Sequence, residues 1–265
     1  MPKPNKLLGQ HFLISHDVLN KIISAADLHW DETILEIGPG HGILTRELAS
    51  RVKCVIAVEK DQALAEHLEH EFKKDALKNV KIIRGDILKL PPRDLGLPKK
   101  FSVVANIPYY LTGRLIRLLL EREVMPKRIV LMVQKEVAER MVAIPPAINL
   151  LAISVQAYGI PKIEFFVSAD AFSPRPTVDS ALITIHSISE ELFREYDIRP
   201  STFFRIASRA FRGKRKILEN TLATLCEPKI LKDILKHLNI EKRRPQELGV
   251  TTWFLLAKAI ERDSG

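Results

Sequence analysis

Thr33-Ile-Leu-Glu-Ile-Gly-Pro-Gly-His-Gly-Ile-Leu-Thr-Arg-Glu-Leu-Ala-Ser-Arg51 decides how this chain folds. Residues 33–37 read as a short strand. Gly38-x-Gly-x-Gly42 is a turn, and a helix follows over about 43–51. A strand that ends in glycines and reopens as a helix is the opening unit of a parallel α/β sheet. Glycines there let the backbone approach a ligand closely.

The same alternation extends outward. Downstream, Val52–Val58 reads as a strand ending at Glu59, and 61–74 as a helix with Leu64, Leu68 and Phe72 at four-residue spacing. Val80–Ile83 is a third strand, followed by Gly85-Asp86. Phe101–Ala105 is a fourth, followed by Asn106-Ile-Pro-Tyr109. A helix over Leu111–Glu123 and a fifth strand, Ile129–Val133, complete the run. Upstream, Ser15 is placed to cap a helix through Val18, Ile22 and Ile23. The expected fold class is α/β: a Rossmann-like sheet with helices on both faces. After residue 150, Ile153–Tyr158, Ile163–Val167 and Ala181–His186 read as closing strands. From about 190 the chain reads as helical, near 201–212, 215–226, 229–237 and 251–262. Two domains are expected, 1–189 and a smaller helical one, 190–265.

The 265 residues carry a formal charge of +9, which favours a polyanionic partner. Residues 190–265 hold 16 Lys and Arg against 11 Asp and Glu. Arg205, Arg209, Arg212 and Lys216 recur at helical spacing, and Arg215 extends the patch. A solvated helix face and a phosphate-contacting surface both fit that pattern. Cys54 and Cys226 lie in different regions without metal-ligand spacing, so no metal or disulfide is expected. Met1-Pro-Lys-Pro-Asn-Lys6 lacks the apolar stretch of a signal peptide, and no run is long enough to span a bilayer. A cytoplasmic protein is expected. Trp30 and Trp253 read as packing residues.

Four features sit at successive strand ends: Gly38-x-Gly40-x-Gly42, Glu59, Asp86 and Asn106-Ile-Pro-Tyr109. Ligands in such sheets bind beyond the carboxyl ends of the strands, so the four would share one crevice. A carboxylate at Glu59 can accept from both ribose hydroxyls. The glycine loop and Glu59 alone fit a nicotinamide cofactor or S-adenosylmethionine. The glycine spacing departs from the dinucleotide G-x-G-x-x-G. Asn106-Ile-Pro-Tyr109 suits methyl transfer to a planar exocyclic amine, whose lone pair is delocalised into the ring. The Asn106 side-chain oxygen and the Ile107 carbonyl are candidate acceptors for that amine. Pro108 stiffens the turn, and Tyr109 offers a flat face for a flipped-out base. An ordinary Asn/Pro turn is the plain alternative for the tetrapeptide alone.

Taken in order, these motifs resemble the ribosomal RNA adenine N6-dimethyltransferases of the KsgA family. The matching pieces are Leu8-Gly-Gln-His-Phe-Leu13, Glu36-Ile-Gly-Pro-Gly-His-Gly42 with Leu44-Thr45, Glu59, Gly85-Asp86 and Asn106-Ile-Pro-Tyr109. Gln134-Lys-Glu-Val-Ala-Glu-Arg140, Phe172-Ser-Pro-Arg-Pro-Thr-Val-Asp-Ser180 and Ala210-Phe-Arg-Gly-Lys-Arg-Lys-Ile-Leu218 follow. The resemblance implies S-adenosylmethionine as cofactor, held by His11, Leu13, Gly38, Gly40, Glu59, Asp86 and Asn106. His11 stands where the family more often has Asn. It also implies a catalytic group of Asn106, Pro108, Tyr109 and Phe172, with Phe172 bordering the target base. The implied substrate is a pair of adjacent adenosines near the 3′ end of small-subunit ribosomal RNA in an immature 30S particle. The enzyme would be a monomer with no membrane partner, and Arg205, Arg209, Arg212, Arg215 and Lys216 would contact RNA.

Three rivals remain beside it: a large-subunit adenine methyltransferase of the antibiotic-resistance type, a non-catalytic assembly factor of the same fold, and a nicotinamide oxidoreductase. One stretch departs from the family. Met141 to Pro161 carries no charge, where the family places a Lys- and Gly-containing loop near Ile144–Leu151. Either a phosphate contact is lost there or the segment packs differently.

Overall fold

Apolar residues fill the central strands almost without interruption, as burial on both faces requires. In the computed structural model, which describes residues 9–121, 124–213 and 216–263, Ile34, Leu35, Val55, Ala57, Val103, Val104 and Val130 are all fully buried. The chain divides into two compact units. The first holds the residues up to Ala138 together with Pro161–Ile188.

In the first unit, β1 (Phe12–Leu13) and α1 (His16–Ala26) precede β2 (Thr33–Ile37), α2 (Ile43–Ala49), β3 (Cys54–Glu59), α3 (Gln62–Lys74) and β4 (Val80–Arg84). Then come α4 (Pro92–Leu95), β5 (Ser102–Asn106), α5 (Thr112–Leu120), β6 (Ile129–Gln134) and α6 (Lys135–Met141), whose last turn passes into the second unit. Following α7 (Leu150–Gln156) of the second unit, β7 (Ile160–Val167), β8 (Phe172–Ser173) and β9 (Ser180–His186) return to the first. Seven strands form one sheet in the order β4-β3-β2-β5-β6-β9-β7. The pairs β4–β3, β3–β2, β2–β5 and β5–β6 are parallel, and β9 is antiparallel to β6. The order of winding reverses between β2 and β5. Their loops leave in opposite directions, which opens a crevice at their carboxyl ends.

Local signals place the helices. Ser15 Oγ accepts from Val18 N at 3.3 Å at the start of α1. Asp61 Oδ1 accepts from Ala63 N and Leu64 N at the start of α3. Leu64, Leu68 and Phe72 form the buried stripe of α3.

The second unit contains Glu139–Ile160 and the residues from Ser189 onward. Its later helices are α8 (Glu191–Glu195), α9 (Pro200–Phe211), α10 (Leu218–Leu222), α11 (Pro228–His237) and α12 (Val250–Asp263). Its core is aromatic. Phe203 stacks on Phe254 at 4.3 Å, and Phe193 meets Phe203 edge-on at 5.5 Å. Tyr158 packs on Phe193 at 4.9 Å, and Trp253 is fully buried.

Four expectations change. Residues 153–158 do not form a strand, because most of them lie in α7. Asn149 Oδ1 accepts from Leu151 N at 3.0 Å and Ala152 N at 3.1 Å, which starts a helix. An uncharged run broken only by Ser154 and Gln156 carries no clear period with which to tell the two apart. The division at 189/190 also leaves out an earlier crossing, since Glu139–Ile160 packs with the later helices. Within the uncharged stretch Ile148 is buried, whereas residues 144–147 are exposed. Last, α9 ends at Phe211, and Lys216 lies in a turn, its N–H donating to Gly213 O. The spacing of the basic residues therefore does not continue along one helix. Trp30, expected to pack, is 81% exposed.

The Asn149 cap gives a direct test of the α7 assignment. Asn149→Ala should cost about 0.5–2 kcal/mol in urea unfolding, the usual worth of a lost cap. A strand at that position would show no such loss.

Candidate active site

The crevice at the ends of β2, β3, β4 and β5 is lined by the glycine loop, Glu59, Asp86 and Asn106–Leu111, with Gly9–Leu13 lying across it. His11, Leu13, Gly38, Gly40, Glu59, Asp86, Asn106, Pro108 and Tyr109 are all brought together there.

The glycine loop is shaped by contact. Gly40 has φ +59°, and a Cβ there would lie 2.8 Å from the Phe12 ring. Gly38 has φ +71°, and its N–H donates to Val58 O at 2.9 Å. A Cβ on Gly38 would reach 3.5 Å from Pro108 Cδ, narrowing the crevice between β2 and β5. Phe12 also packs on His41, with ring centroids 4.0 Å apart.

Glu59 is buried. Its Oε2 accepts from Gly40 N at 3.3 Å and its Oε1 from Asp61 N at 2.8 Å. Burial raises its pKa against the effect of these N–H groups. Glu36, at the end of β2, is 1% exposed, and burial pushes it up to about 8. The neighbouring Thr45 hydroxyl acts in the opposite direction and the Glu59 charge adds to the rise. Neither Glu36 Oε2 nor Thr45 Oγ1 makes a hydrogen bond of proper geometry in this structure. At Asp86, burial is outweighed by Leu88 N–H, 3.0 Å from Oδ1, and by Lys60 Nζ, 3.1 Å from Oδ2, so the carboxyl stays below its usual range. Lys60 Nζ also lies 5.9 Å from the centre of the Tyr110 ring.

At the other end, Asn106 Nδ2 donates to His11 O at 3.3 Å, which leaves Oδ1 as the amide's acceptor. Pro108 enters a tight turn over Tyr109–Leu111, closed by Leu111 N to Pro108 O at 3.0 Å. The Tyr109 hydroxyl meets Ser180 Oγ at 2.8 Å, and the Tyr109 ring stacks near His11 at 5.6 Å. Burial, with Asp179 adding, holds the Tyr109 phenol above its usual range against the Ser180 hydrogen bond. His11 Nδ1 lies 2.7 Å from Pro174 O, so Nδ1 carries the proton in that contact.

Phe172 is not in this group. It pairs with Leu13 across β1 and β8 and is buried in the apolar core beside Leu13 and Leu182. An aromatic residue in a proline-rich loop reads as exposed, and the strand pairing that buries it spans nearly the whole sheet domain in sequence. Of the basic residues, Arg205, Arg212 and Lys216 are exposed, and Arg209 is half-buried with an unpartnered Nε. Arg215 lies outside the described residues. Sequence reading assigned no role to Ser180, Lys60, Tyr110 or Glu36. Only their places inside matching motifs or at strand ends could have marked Ser180, Lys60 and Glu36.

The lining fits S-adenosylmethionine better than a dinucleotide. Glu36, Glu59 and Asp86 are acidic, and the one Lys or Arg among the described lining residues, Lys60, already faces Asp86. A pyrophosphate would meet carboxylates there, whereas a sulfonium is a cation. The open cradle at Gly38 and the carboxylate of Glu59 at the end of β3 stand where the sequence expected the cofactor's contacts. Among the described residues no group of three or more His, Cys, Asp or Glu could hold a metal, and no helix is long and apolar enough to cross a membrane.

Comparison with known proteins agrees. The family described as ribosomal RNA adenine dimethylase matches residues 1–260. A Dehalococcoides mccartyi protein named ribosomal RNA small subunit methyltransferase A is 42% identical over 259 residues, covering 96% of this chain and 87% of its own. A protein of the same name from Clostridioides difficile is 37% identical over 268 residues, covering 97% and 91%. The crystal structure of a dimethyladenosine transferase from Plasmodium falciparum superposes with a TM-score of 0.79 at 26% identity, covering 93% of this chain and 96% of that one. The 23S rRNA methyltransferase ErmE, at 23% identity and a TM-score of 0.72, shares the fold.

Glu36 sets a pH test. Below its ordinary value of 4.5 it is protonated in both folded and unfolded chains. Between 4.5 and about 8 only the folded chain keeps the proton, so stability falls as pH rises through that window. Glu36→Gln should remove this slope, about 1.4 kcal/mol per pH unit. Urea unfolding of both proteins from about pH 5 to about pH 7.5 measures it. Parallel curves would show that Glu36 ionises normally.

Proposed function

The chain belongs to the ribosomal RNA adenine dimethylase family, and from that premise we propose that it dimethylates N6 of two adjacent adenosines near the 3′ end of small-subunit ribosomal RNA. It is an S-adenosylmethionine-dependent methyltransferase. The observation that carries the reading is the Asn106–Tyr109 turn, held beside Glu59 and Asp86 in one crevice.

S-adenosylmethionine, when bound, supplies a methyl group activated by its sulfonium. Glu59 would hold the ribose and Asp86 the adenine amine, with Gly38 and Gly40 leaving room and His11 and Leu13 covering the site. The chain's own task is at the target amine. Asn106 Oδ1 and the Ile107 carbonyl accept from the N6 hydrogens, draw the nitrogen towards tetrahedral geometry, and stabilise the positive charge that develops on it. The fixed turn at Pro108 holds both acceptors so that the amine nitrogen, not the acceptors, faces the methyl donor. Tyr109, pinned by Ser180, presents a face to the flipped base. The alkylated nitrogen is acidic enough to lose its proton to water, so no strong base is needed. Arg205, Arg212 and Lys216 contact RNA phosphates, with Arg209 partly buried behind them. The substrate is an immature 30S particle, the enzyme acts as a monomer, and its place is the cytoplasm.

Labelled S-adenosylmethionine incubated with unmethylated small-subunit particles tests the reading through release of labelled dimethyladenosine. Label in large-subunit RNA alone would favour the antibiotic-resistance type, and absence of transfer the assembly factor. Asn106→Ala should lower the rate about 10²–10³-fold, the usual loss when one preorganised polar contact to developing charge is removed. Tyr109→Phe keeps the ring and should be milder than Tyr109→Ala in the same assay.

Exposed cations should report phosphate contacts separately. Arg205→Ala and Arg212→Ala should each weaken RNA binding across sequences and flatten the dependence of log affinity on log salt by about one contact. An unchanged slope in filter binding would leave this face as a merely solvated one.

A further inference from the structure

Phe166 is a large aromatic side chain left mostly open to solvent. Along β7 the side chains alternate: Phe165 packs against the core of the first unit, and Phe166 points the other way and is 55% exposed. Its neighbour is a cation, for Lys135 Nζ lies 5.0 Å from the ring centre. Lys135 directly follows β6, and its N–H donates to Asp179 O at 3.0 Å. Gln134, the preceding residue, pairs with Ser180, and Ser180 Oγ holds the Tyr109 hydroxyl at 2.8 Å. Short links of backbone and side chain thus run from the target-base turn to the Phe166–Lys135 pair, all within the first unit and all at the carboxyl end of β6.

We propose that Phe166, with Lys135 beside it, is a stacking platform for an unpaired RNA base neighbouring the target adenosine. The proposal deepens the RNA-methyltransferase reading and rests on it. An exposed ring stacks on any base, and a lysine ammonium beside it meets the adjoining phosphate. A target base drawn out of its stack exposes the face of its neighbour, and an aromatic ring on β7, three places along the sheet from β5, replaces that lost stacking. Phe166 acts here as a positioning residue, since it touches RNA beyond the reacting base.

The test uses an RNA hairpin with two adjacent unpaired adenosines in its loop and 2-aminopurine next to them, bound to the full chain. Wild type should quench the 2-aminopurine. Phe166→Ala should abolish that quenching and weaken binding about 5- to 100-fold, the range for one lost base–aromatic stack. Phe166→Trp should restore both. Lys135→Met should flatten the salt dependence by about one contact, which Phe166→Ala leaves unaltered. Calorimetric binding of S-adenosylmethionine should be the same in all of them, which shows that the fold is intact. Absent quenching with wild type, or full RNA affinity in Phe166→Ala, overturns the platform. So does loss of self-association in sedimentation with RNA affinity retained, which would make the face a contact between copies. If wild type methylates small-subunit particles while the hairpin results fail, the platform alone falls. If wild type transfers no methyl group, both readings fall together.

Discussion

The Glu59 carboxylate ties the site together. Each of its oxygens accepts a backbone N–H from a different segment, Gly40 in the loop after β2 and Asp61 at the start of α3. The bonds fix the loop against the end of β3 and stabilise the charged form of a buried acid. Asp61 in turn caps α3, so one short stretch closes a strand, orders a loop and opens a helix. Without Glu59, the Gly40 N–H would face the crevice unpaired, and the approach of Phe12 to Gly40 would lose its backing. The N-terminal arm depends on the same spot, because Phe12 lies over Gly40 and His41 while Leu13 pairs with Phe172.

The parallel part of the fold was legible because it is written locally. Strands buried on both faces are short apolar runs, and each ends in a residue type suited to a loop: Gly38, Glu59, Gly85 or Asn106. Helix α3 announces itself through Leu64, Leu68 and Phe72. What the sequence did not reveal is non-local or aperiodic. Leu150–Val155 is apolar apart from Ser154, and its helix is started by one polar atom of Asn149. Phe172 stands in a motif that suggests exposure, yet strand pairing with the distant arm buries it. The basic residues after α9 keep helical spacing in a chain that has already turned at Gly213. The candidate site was legible for the same reason as the sheet, since its residues sit at strand ends. Ser180 was not, because its partner Tyr109 lies in a different strand–helix unit.

The shifted groups divide the crevice by task. Glu36 and Glu59, at the glycine-loop end, are raised by burial, which leaves that end acidic but reluctant to hold two full negative charges side by side. The Leu88 N–H and then Lys60 outweigh burial and keep Asp86 ionised at the third strand end. At the opposite end the two side chains of the turn, Asn106 and Tyr109, are not poised to exchange a proton near neutrality. Asn106 does not titrate, and the Tyr109 phenol is held above its ordinary range. A neutral phenol keeps its hydrogen bond with Ser180 and adds no negative charge where RNA phosphates must approach.

This division accounts for how little chemistry the turn needs. A reaction that begins by removing a proton needs a base with a matched pKa. Transfer of an already activated methyl group to an amine needs alignment first and loses its proton afterwards. The proposed role of Asn106–Tyr109 is that alignment, and the turn has the parts for it: a proline at its start, an amide oriented through its Nδ2 by His11 O, and a ring pinned at its hydroxyl. A second methylation meets the same acceptors with one N–H fewer. An amide oxygen and a carbonyl tolerate that loss, because either can bind the remaining hydrogen while the other is left partly exposed to the crevice. A carboxylate base in the same place would instead be left charged and unpaired, at a far higher desolvation cost.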